Sequence, residues 1–201
     1  MELILRKPNG SPYFLFGLEV VISLIIRKSE KNLDFTYYLK GKPRMNEKVI
    51  VIGSDDAGLE LKSIIIELLH AKAYIVEDLG ISDNTDKTMY PLISKRVCER
   101  IIESRYTKQG ILICGTGIGM ALVANKFPGI FAAVCHDPYS AERSKRSNDC
   151  NLLCMGARVI GTELARKLTI EWLSYDEVDE KSKPKVAAIM EIDKETRKQI
   201  Y

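Results

Sequence analysis

The chain has 201 residues, of which 46% are hydrophobic, 28% are charged and 7% are aromatic. This length buries a sizeable core without disulfide or metal support, and a formal charge of +3 without a sustained basic stripe argues against nucleic acid or a membrane as partner. Five cysteines without secretory context predict reduced thiols in the cytoplasm, and two histidines, His70 and His136, exclude a three-histidine metal site.

The first 44 residues differ in pattern from the remainder. Residues 13–26 form an apolar stretch that contains Glu19, and it is shorter than the roughly 20 apolar residues that a membrane span needs. No small-residue cleavage site follows it. We interpret residues 1–44 as an N-terminal extension, β-rich or loosely ordered, with an interfacial anchor as the alternative. We expect the natural protein to begin at Met45 and its domain to span residues 45–201.

Strands and helices alternate from Met45 onward. Short apolar runs predict five buried strands, at residues 48–53, 73–76, 110–114, 130–135 and 151–155. Apolar residues at helical spacing predict helices at residues 59–70 and 92–104, after Gly119, from Pro138, and at residues 162–173 and 185–199. This order predicts an α/β fold: a three-layer, Rossmann-like, doubly wound parallel five-stranded sheet, with the N-terminal extension added.

Ligands of such sheets bind at the carboxyl ends of the strands. The candidate residues at those ends are Asp55 and Asp56, Tyr90 with its polar loop, Cys114–Gly119, His136 and Asp137, and Gly156–Arg158. The sequence therefore predicts one site at this edge of the sheet.

The segment Cys114–Gly119 is the most informative of these. Gly115, Gly117 and Gly119 let the backbone approach a ligand and direct several amides at one oxygen or phosphate. Cys114 precedes a helix N-terminus, where the thiolate form is favoured. A thiolate can abstract a carbon-bound proton while the amides hold the developing enolate oxygen. The alternatives are an inert buried cysteine and a dinucleotide site, although Met120 occupies the sixth position, where the dinucleotide motif needs glycine.

The stretch GILICGTGIGMALVANKFPGI, residues 110–130, resembles the ribose-5-phosphate isomerase B family, which includes the galactose-6-phosphate isomerase subunits. The likeness continues through residues 135–141, 147–149 and 156–161 and covers roughly residues 45–192. It implies an aldose–ketose isomerase of sugar phosphates that uses no metal and no cofactor and proceeds through a cis-enediol. It also implies a homodimer or tetramer with each active site at a subunit interface.

The same resemblance implies roles for individual residues. Cys114 matches the catalytic base, Thr116 matches a hydroxyl that assists proton transfer, and the amides of Gly115–Gly119 match the anion hole. Asp55 matches the first member of an Asp-His pair that meets the sugar hydroxyls, and Asp56 replaces the histidine. The remaining matches are Tyr90 and Asn148 for the substrate, and Arg158, Lys181 and Lys185 for the phosphate. A surface cap for Arg158 and a solvated turn for the lysines are the alternatives.

Departures from the family pattern bear on the substrate. Asp56 and Ser147 stand where the family has histidines, and Met89 stands where it has an aspartate. Serine cannot act as an acid–base near pH 7, so we expect poor furanose ring opening and an open-chain substrate such as erythrulose 4-phosphate. The alternatives are a ribose-5-phosphate isomerase that relies on spontaneous opening or on Asp56 and His136, and a non-catalytic sugar-phosphate-binding module. For His136 itself, a structural partner is the alternative to an acid–base role.

Overall fold

The computed structural model describes residues 48–198, so the predicted extension, residues 1–44, lies outside the described residues. The strands of the described part are β1 Val49–Ser54, β2 Ile75–Asp78, β3 Gln109–Cys114, β4 Ala132–Val134 and β5 Leu152–Gly156. Its α-helices are α1 Leu59–Ala71, α2 Tyr90–Glu103, α3 Ile118–Ala124, α4 Pro138–Asn148, α5 Thr162–Ser174 and α6 Lys183–Lys198. The described part also contains short 3-10 turns at Asp56–Gly58 and Glu180–Ser182.

All five strands of the described part are parallel, in the order β2-β1-β3-β5-β4. Successive residues of a strand face opposite sides, so Ile50 and Ile52 pack with α1 and α5 while Val51 packs with α2 and α3. Both faces are apolar because both are covered by helices. The predicted fold class, a doubly wound α/β sheet, is confirmed.

Among the element boundaries that differ from the prediction, two have a clear local cause. The second strand begins at Ile75 rather than at residue 73, because Ala73 adopts a left-handed φ of 61° at the end of α1. Helix α2 begins at Tyr90 rather than at residue 92, with Pro91 in its first turn, where a missing amide hydrogen leaves no carbonyl unpaired. Tyr90 is therefore part of a rigid element rather than of the loop before it.

The strand order sets the position of a ligand crevice. From β1 the chain moves to β2 on one side, and from β3 it moves toward β5 and β4 on the other. The carboxyl ends of β1 and β3 therefore flank a topological switch point, where open α/β sheets bind ligands. Within residues 48–198, no helix is long and apolar enough to cross a membrane.

Candidate active site

Cys114 ends β3 at this switch point, and its side chain is only 5% exposed. Its Sγ accepts a hydrogen bond from the amide of Gly117 at 3.1 Å. Gly117 has a φ of +76°, and a Cβ there would lie 3.0 Å from the backbone of Met155. Conformation and space therefore both require glycine at this position. The result is a sulfur atom fixed below a close-packed glycine loop.

Thr116 lies in that loop and is exposed to solvent. Its hydroxyl oxygen accepts a long hydrogen bond from the amide of Ile118, at 3.4 Å. The end of β5 supports it from behind, since a Cβ on Gly156 would lie 2.7 Å from the Cα of Thr116. The predicted pair Cys114 and Thr116 is thus on one short loop, with the thiol inside and the hydroxyl facing solvent.

Arg158 is held beside this loop by an extension of the β3–β5 ladder. The amide of Ala157 donates to the carbonyl of Cys114 at 2.8 Å, and the amide of Arg158 donates to the carbonyl of Gly115 at 3.0 Å. The side chain then runs past Gly115, where a Cβ would lie 3.5 Å from Cδ and 3.6 Å from Nη1 of Arg158. A guanidinium group therefore lies next to the glycine loop, as anion binding requires.

Asp55 and Asp56 enter the crevice from the end of β1. The Asp55 carboxylate caps the 3-10 turn by accepting from the amide of Gly58 at 3.3 Å. That turn packs directly on β3, because a Cβ on Gly58 would lie 2.4 Å from the carbonyl oxygen of Ile113. Burial raises the pKa of Asp55, the charge of Asp56 adds to the increase, and the Gly58 bond and Arg158 oppose it. Asp55 and Arg158 therefore influence each other electrostatically across the crevice.

Tyr90 forms one wall of the site. Its ring lies over Gly119, where a Cβ would come within 2.7 Å of Cε2 and 3.0 Å of the hydroxyl oxygen. Gly119 was predicted for its amide, and the structure adds a second reason for glycine: it makes room for the ring. The cleft beside the ring has a volume of about 440 Å³ and is lined by Asp55, Asp56, Asp86, Lys87, Thr88, Met89, Tyr90 and Pro91.

Asp86 and Lys87 line the cleft although the sequence pattern did not predict them there. Their signal was the polar loop that precedes Tyr90, but such loops are usually only solvated connections. Asp86 caps the loop by accepting from the amide of Thr88 at 2.8 Å, and Lys87 donates to the carbonyl of Asn84 at 2.7 Å. The loop that carries them is therefore shaped by its own side chains.

Asn148, Lys181 and Lys185 do not join this group within one chain. Helix α4 starts at the carboxyl edge of the sheet and ends with Asn148, just before β5 begins at the amino edge. Asp179 accepts from Arg143 Nη2 at 2.8 Å and from Arg146 Nη2 at 2.6 Å, which ties the turn of Lys181 to the same end of α4. Strand β5 alone separates the two edges by about 17 Å.

His136 also lies at the carboxyl edge, and its ring has a structural partner. Its Nε2 accepts a hydrogen bond from the amide of Gly156 at 2.9 Å. Burial lowers the pKa of His136, and the neighbouring charge of Asp137 opposes that decrease. In the described part of the chain, no group of three or more His, Cys, Asp and Glu side chains is placed to hold a metal ion.

Comparisons with known proteins match this fold. A family model described as Ribose/Galactose Isomerase matches residues 50–189. A Listeria innocua protein named ribose-5-P isomerase B is 46% identical over 74% of this chain and 99% of its own length. A Pectobacterium atrosepticum protein named D-erythrulose-4-phosphate isomerase is 41% identical over 70% of this chain and 91% of its own. A Clostridium thermocellum ribose-5-phosphate isomerase B structure superposes with a TM-score of 0.69 at 38% identity, covering 74% of this chain and 99% of that one.

The family model and these relatives cover the residues that form the parallel sheet and the glycine loop, and they define a sugar-phosphate isomerase. The chain belongs to the ribose/galactose isomerase family. The resemblance to ribose-5-phosphate isomerase B and the interpretation as an isomerase are confirmed.

Proposed function

We propose that the protein interconverts the ketose and aldose forms of a small open-chain sugar phosphate, with a tetrulose 4-phosphate such as erythrulose 4-phosphate as its best substrate. The observation that carries this proposal is the placement of Arg158 against Gly115, next to the Cys114 thiol. Together they offer an anion ligand and a proton acceptor at the same end of the neighbouring strands β5 and β3. A relative named D-erythrulose-4-phosphate isomerase supports the substrate class.

The mechanism needs one base and a set of hydrogen-bond donors. The Cys114 thiolate removes the proton from the hydroxyl-bearing carbon next to the carbonyl, and the electron pair moves to the carbonyl oxygen. The loop amides other than that of Gly117, which donates to Cys114 Sγ, hold the negative charge of the enediolate. Cys114 then returns the proton to the neighbouring carbon. Thr116 and Asp55 move the hydroxyl proton between the two oxygens, so the cycle balances without metal or cofactor.

The absence of imidazole from the cleft supports an open-chain substrate. The residues that line the cleft include three carboxylates and no histidine, and the Nε2 of His136 is engaged by Gly156. Furanose ring opening needs a group that both accepts and donates a proton near pH 7. A four-carbon ketose has no hydroxyl that could close a five-membered ring on its C2 carbonyl. Its aldose isomer carries the phosphate on the C4 oxygen that such a ring would need, so neither form requires this step.

We further propose a homodimer, or a tetramer built from two dimers, in the cytoplasm, with Asn148, Lys181 and Lys185 serving the site of the other subunit. Within one chain these residues lie at the amino edge of the sheet, while Cys114 lies at the carboxyl edge. Leu122 is 63% exposed and Ile118 is 55% exposed on the helix beside the site. Apolar exposure of this kind is typical of a subunit interface.

Steady-state assays with three substrates test the proposal. We expect the highest kcat/KM with erythrulose 4-phosphate and lower values with ribose 5-phosphate and allose 6-phosphate. A dominant kcat/KM with ribose 5-phosphate would overturn the open-chain substrate.

The role of Cys114 is tested by solvent deuterium exchange. We expect Cys114→Ala to abolish exchange into the carbon next to the carbonyl and to leave phosphate binding nearly unchanged. Cys98→Ala is the matched control, because Cys98 is a fully buried thiol in the same core cluster. Exchange that survives in Cys114→Ala would refute the base assignment. If the wild-type protein shows no deuterium exchange with any sugar phosphate, the result would favour a non-catalytic binding module.

A further inference from the structure

One ionisable side chain at the carboxyl edge has no part in the mechanism above. His136 directly precedes Asp137, the N-cap of α4, and its Nε2 accepts the amide hydrogen of Gly156 at 2.9 Å. A ring nitrogen that accepts must be unprotonated, so this imidazole is neutral and carries its hydrogen on Nδ1. The contact joins the chain after β4 to the last residue of β5.

Gly156 is the residue on which the geometry of the loop depends. Its backbone packs against Thr116, and a Cβ there would lie 2.7 Å from the Cα of that residue. The next two amides, of Ala157 and Arg158, bond the carbonyls of Cys114 and Gly115. Loss of the acceptor would leave a partly buried amide unpaired at the root of this turn, which destabilises the arrangement.

We propose that His136 is a positioning residue for the isomerase: its neutral ring holds Gly156, and through Gly156 it keeps Arg158 against the glycine loop. The link to phosphate binding rests on the proposed function, whereas the hydrogen bond itself does not. Protonation would place an N–H donor against the Gly156 donor, so the turn loosens when His136 gains a proton.

The surroundings of the ring favour its neutral form. Burial lowers the pKa of His136, and Asp137, the neighbouring carboxylate, opposes that shift. Asp137 is itself engaged by the amide of Ser140 at 2.8 Å. On the β5 side the charged group is Arg158, two residues beyond Gly156. The nearby thiols remain uncharged, because burial raises the pKa of Cys135 to about 11 and that of Cys154 well above its ordinary value.

Two substitutions separate positioning from bulk stability. His136→Ala removes the acceptor, and we expect KM for erythrulose 4-phosphate to rise about five- to tenfold with little change in kcat. His136→Gln supplies a carbonyl oxygen at similar reach that cannot titrate. We expect it to restore KM. We also expect KM of the parent protein to increase as His136 is protonated in acid, and His136→Gln to lack that part of the increase. His70→Gln, an exposed change on α1, is the matched control and should leave KM unchanged.

A measurement without turnover keeps this test independent of the proposed function. The chain has two histidines, so nitrogen-detected spectra contain two imidazoles, and His136→Gln identifies one of them. We expect the Nδ1-protonated tautomer and a midpoint below the ordinary histidine value of about 6.5. We also expect inorganic phosphate to bind more weakly to His136→Ala than to His136→Gln. An Nε2-protonated ring would overturn the proposal even in a protein inactive on every sugar phosphate. Equal phosphate affinity in two variants that both bind phosphate would overturn the part of the proposal that links His136 to Arg158.

Discussion

Asp55 is held in a less favourable environment than an ordinary surface carboxylate. Burial raises its pKa, and the charge of Asp56 acts in the same direction. At neutral pH the folded protein therefore carries an ionised group that its surroundings disfavour. Active sites commonly hold such groups because the reaction needs their charge or their proton.

We predict that Asp55→Asn raises the melting temperature near pH 7 and lowers kcat/KM about 10- to 100-fold. The amide can still cap the turn at Gly58, so the capping bond is kept while the disfavoured charge is removed. Calorimetry and steady-state assays at the same pH check the two effects.

The gain in melting temperature caused by Asp55→Asn should depend on pH in one direction. A folded-state pKa above the unfolded value means that the folded protein binds more protons in that interval, so acid removes the unfavourable contribution of Asp55. The gain in melting temperature should therefore shrink as the pH falls through the raised pKa. A gain that stays constant with pH would contradict the assignment to charge.

At the scale of elements, Gly119 inside α3 is unusual, since glycine weakens a helix relative to alanine. Its contact with the Tyr90 ring gives the reason. We predict that Gly119→Ala displaces the ring and raises KM about tenfold, without the stability gain that such a change brings elsewhere.

Gly161→Ala is the matched control for this prediction. A Cβ there meets nothing within 4 Å, and the residue precedes α5. We expect its KM to equal that of the parent protein. The altered cap should change the free energy of unfolding by only ~0.3 kcal/mol. An unchanged KM in Gly119→Ala would show that the ring does not contribute to binding.

The order and type of the elements could be predicted because apolar runs and helical spacing are local signals. All five strands lie within a few residues of their predicted positions. The boundaries differ where a residue adopts a conformation that apolar spacing does not reveal. At Ala73, for example, a left-handed φ shifts the start of β2 toward the C-terminus. The fourth strand is shortened to Ala132–Val134, although the apolar run around it is longer.

The site could be predicted only in part for a related reason. Glycine spacing marked the loop after Cys114, since three glycines there have few other uses. The contact between Arg158 and that loop depends on β5 lying beside β3, and strand order is not encoded locally. The pattern placed Arg158 at the end of a strand, and the family resemblance supplied its phosphate role. The contacts of His136 with Gly156 and of Tyr90 with Gly119 join segments that are distant in the sequence, and no sequence pattern predicts them.

At the scale of the whole molecule, the expected binding residues fall into two groups at opposite edges of one sheet. Cys114, Thr116, Asp55 and Arg158 lie at the carboxyl edge, whereas Asn148 and Lys181 lie at the amino edge. A two-fold dimer would bring one group of each chain to the other group of its partner.

We predict that two impaired variants complement each other when their subunits mix. Cys114→Ala lacks the base, and the double change Lys181→Glu with Lys185→Glu reverses two exposed charges. A dimer with one chain of each kind has one intact site of two. A random equal mixture, co-expressed and assayed for isomerisation, should therefore recover about one quarter of the parent activity. Mixed dimers that stay inactive would place each site within a single chain.

The hydrogen bonds that carry the β3–β5 ladder beyond its strands also bear on the dynamics of the site. The amides of Ala157 and Arg158 are bonded to the loop of Cys114, next to two deeply buried strands of the sheet. Protection of such amides against hydrogen exchange follows the opening of the strands to which they are attached. The loop therefore opens with the centre of the sheet rather than by local fraying, and it meets the substrate already ordered, with little conformational entropy left to lose on binding.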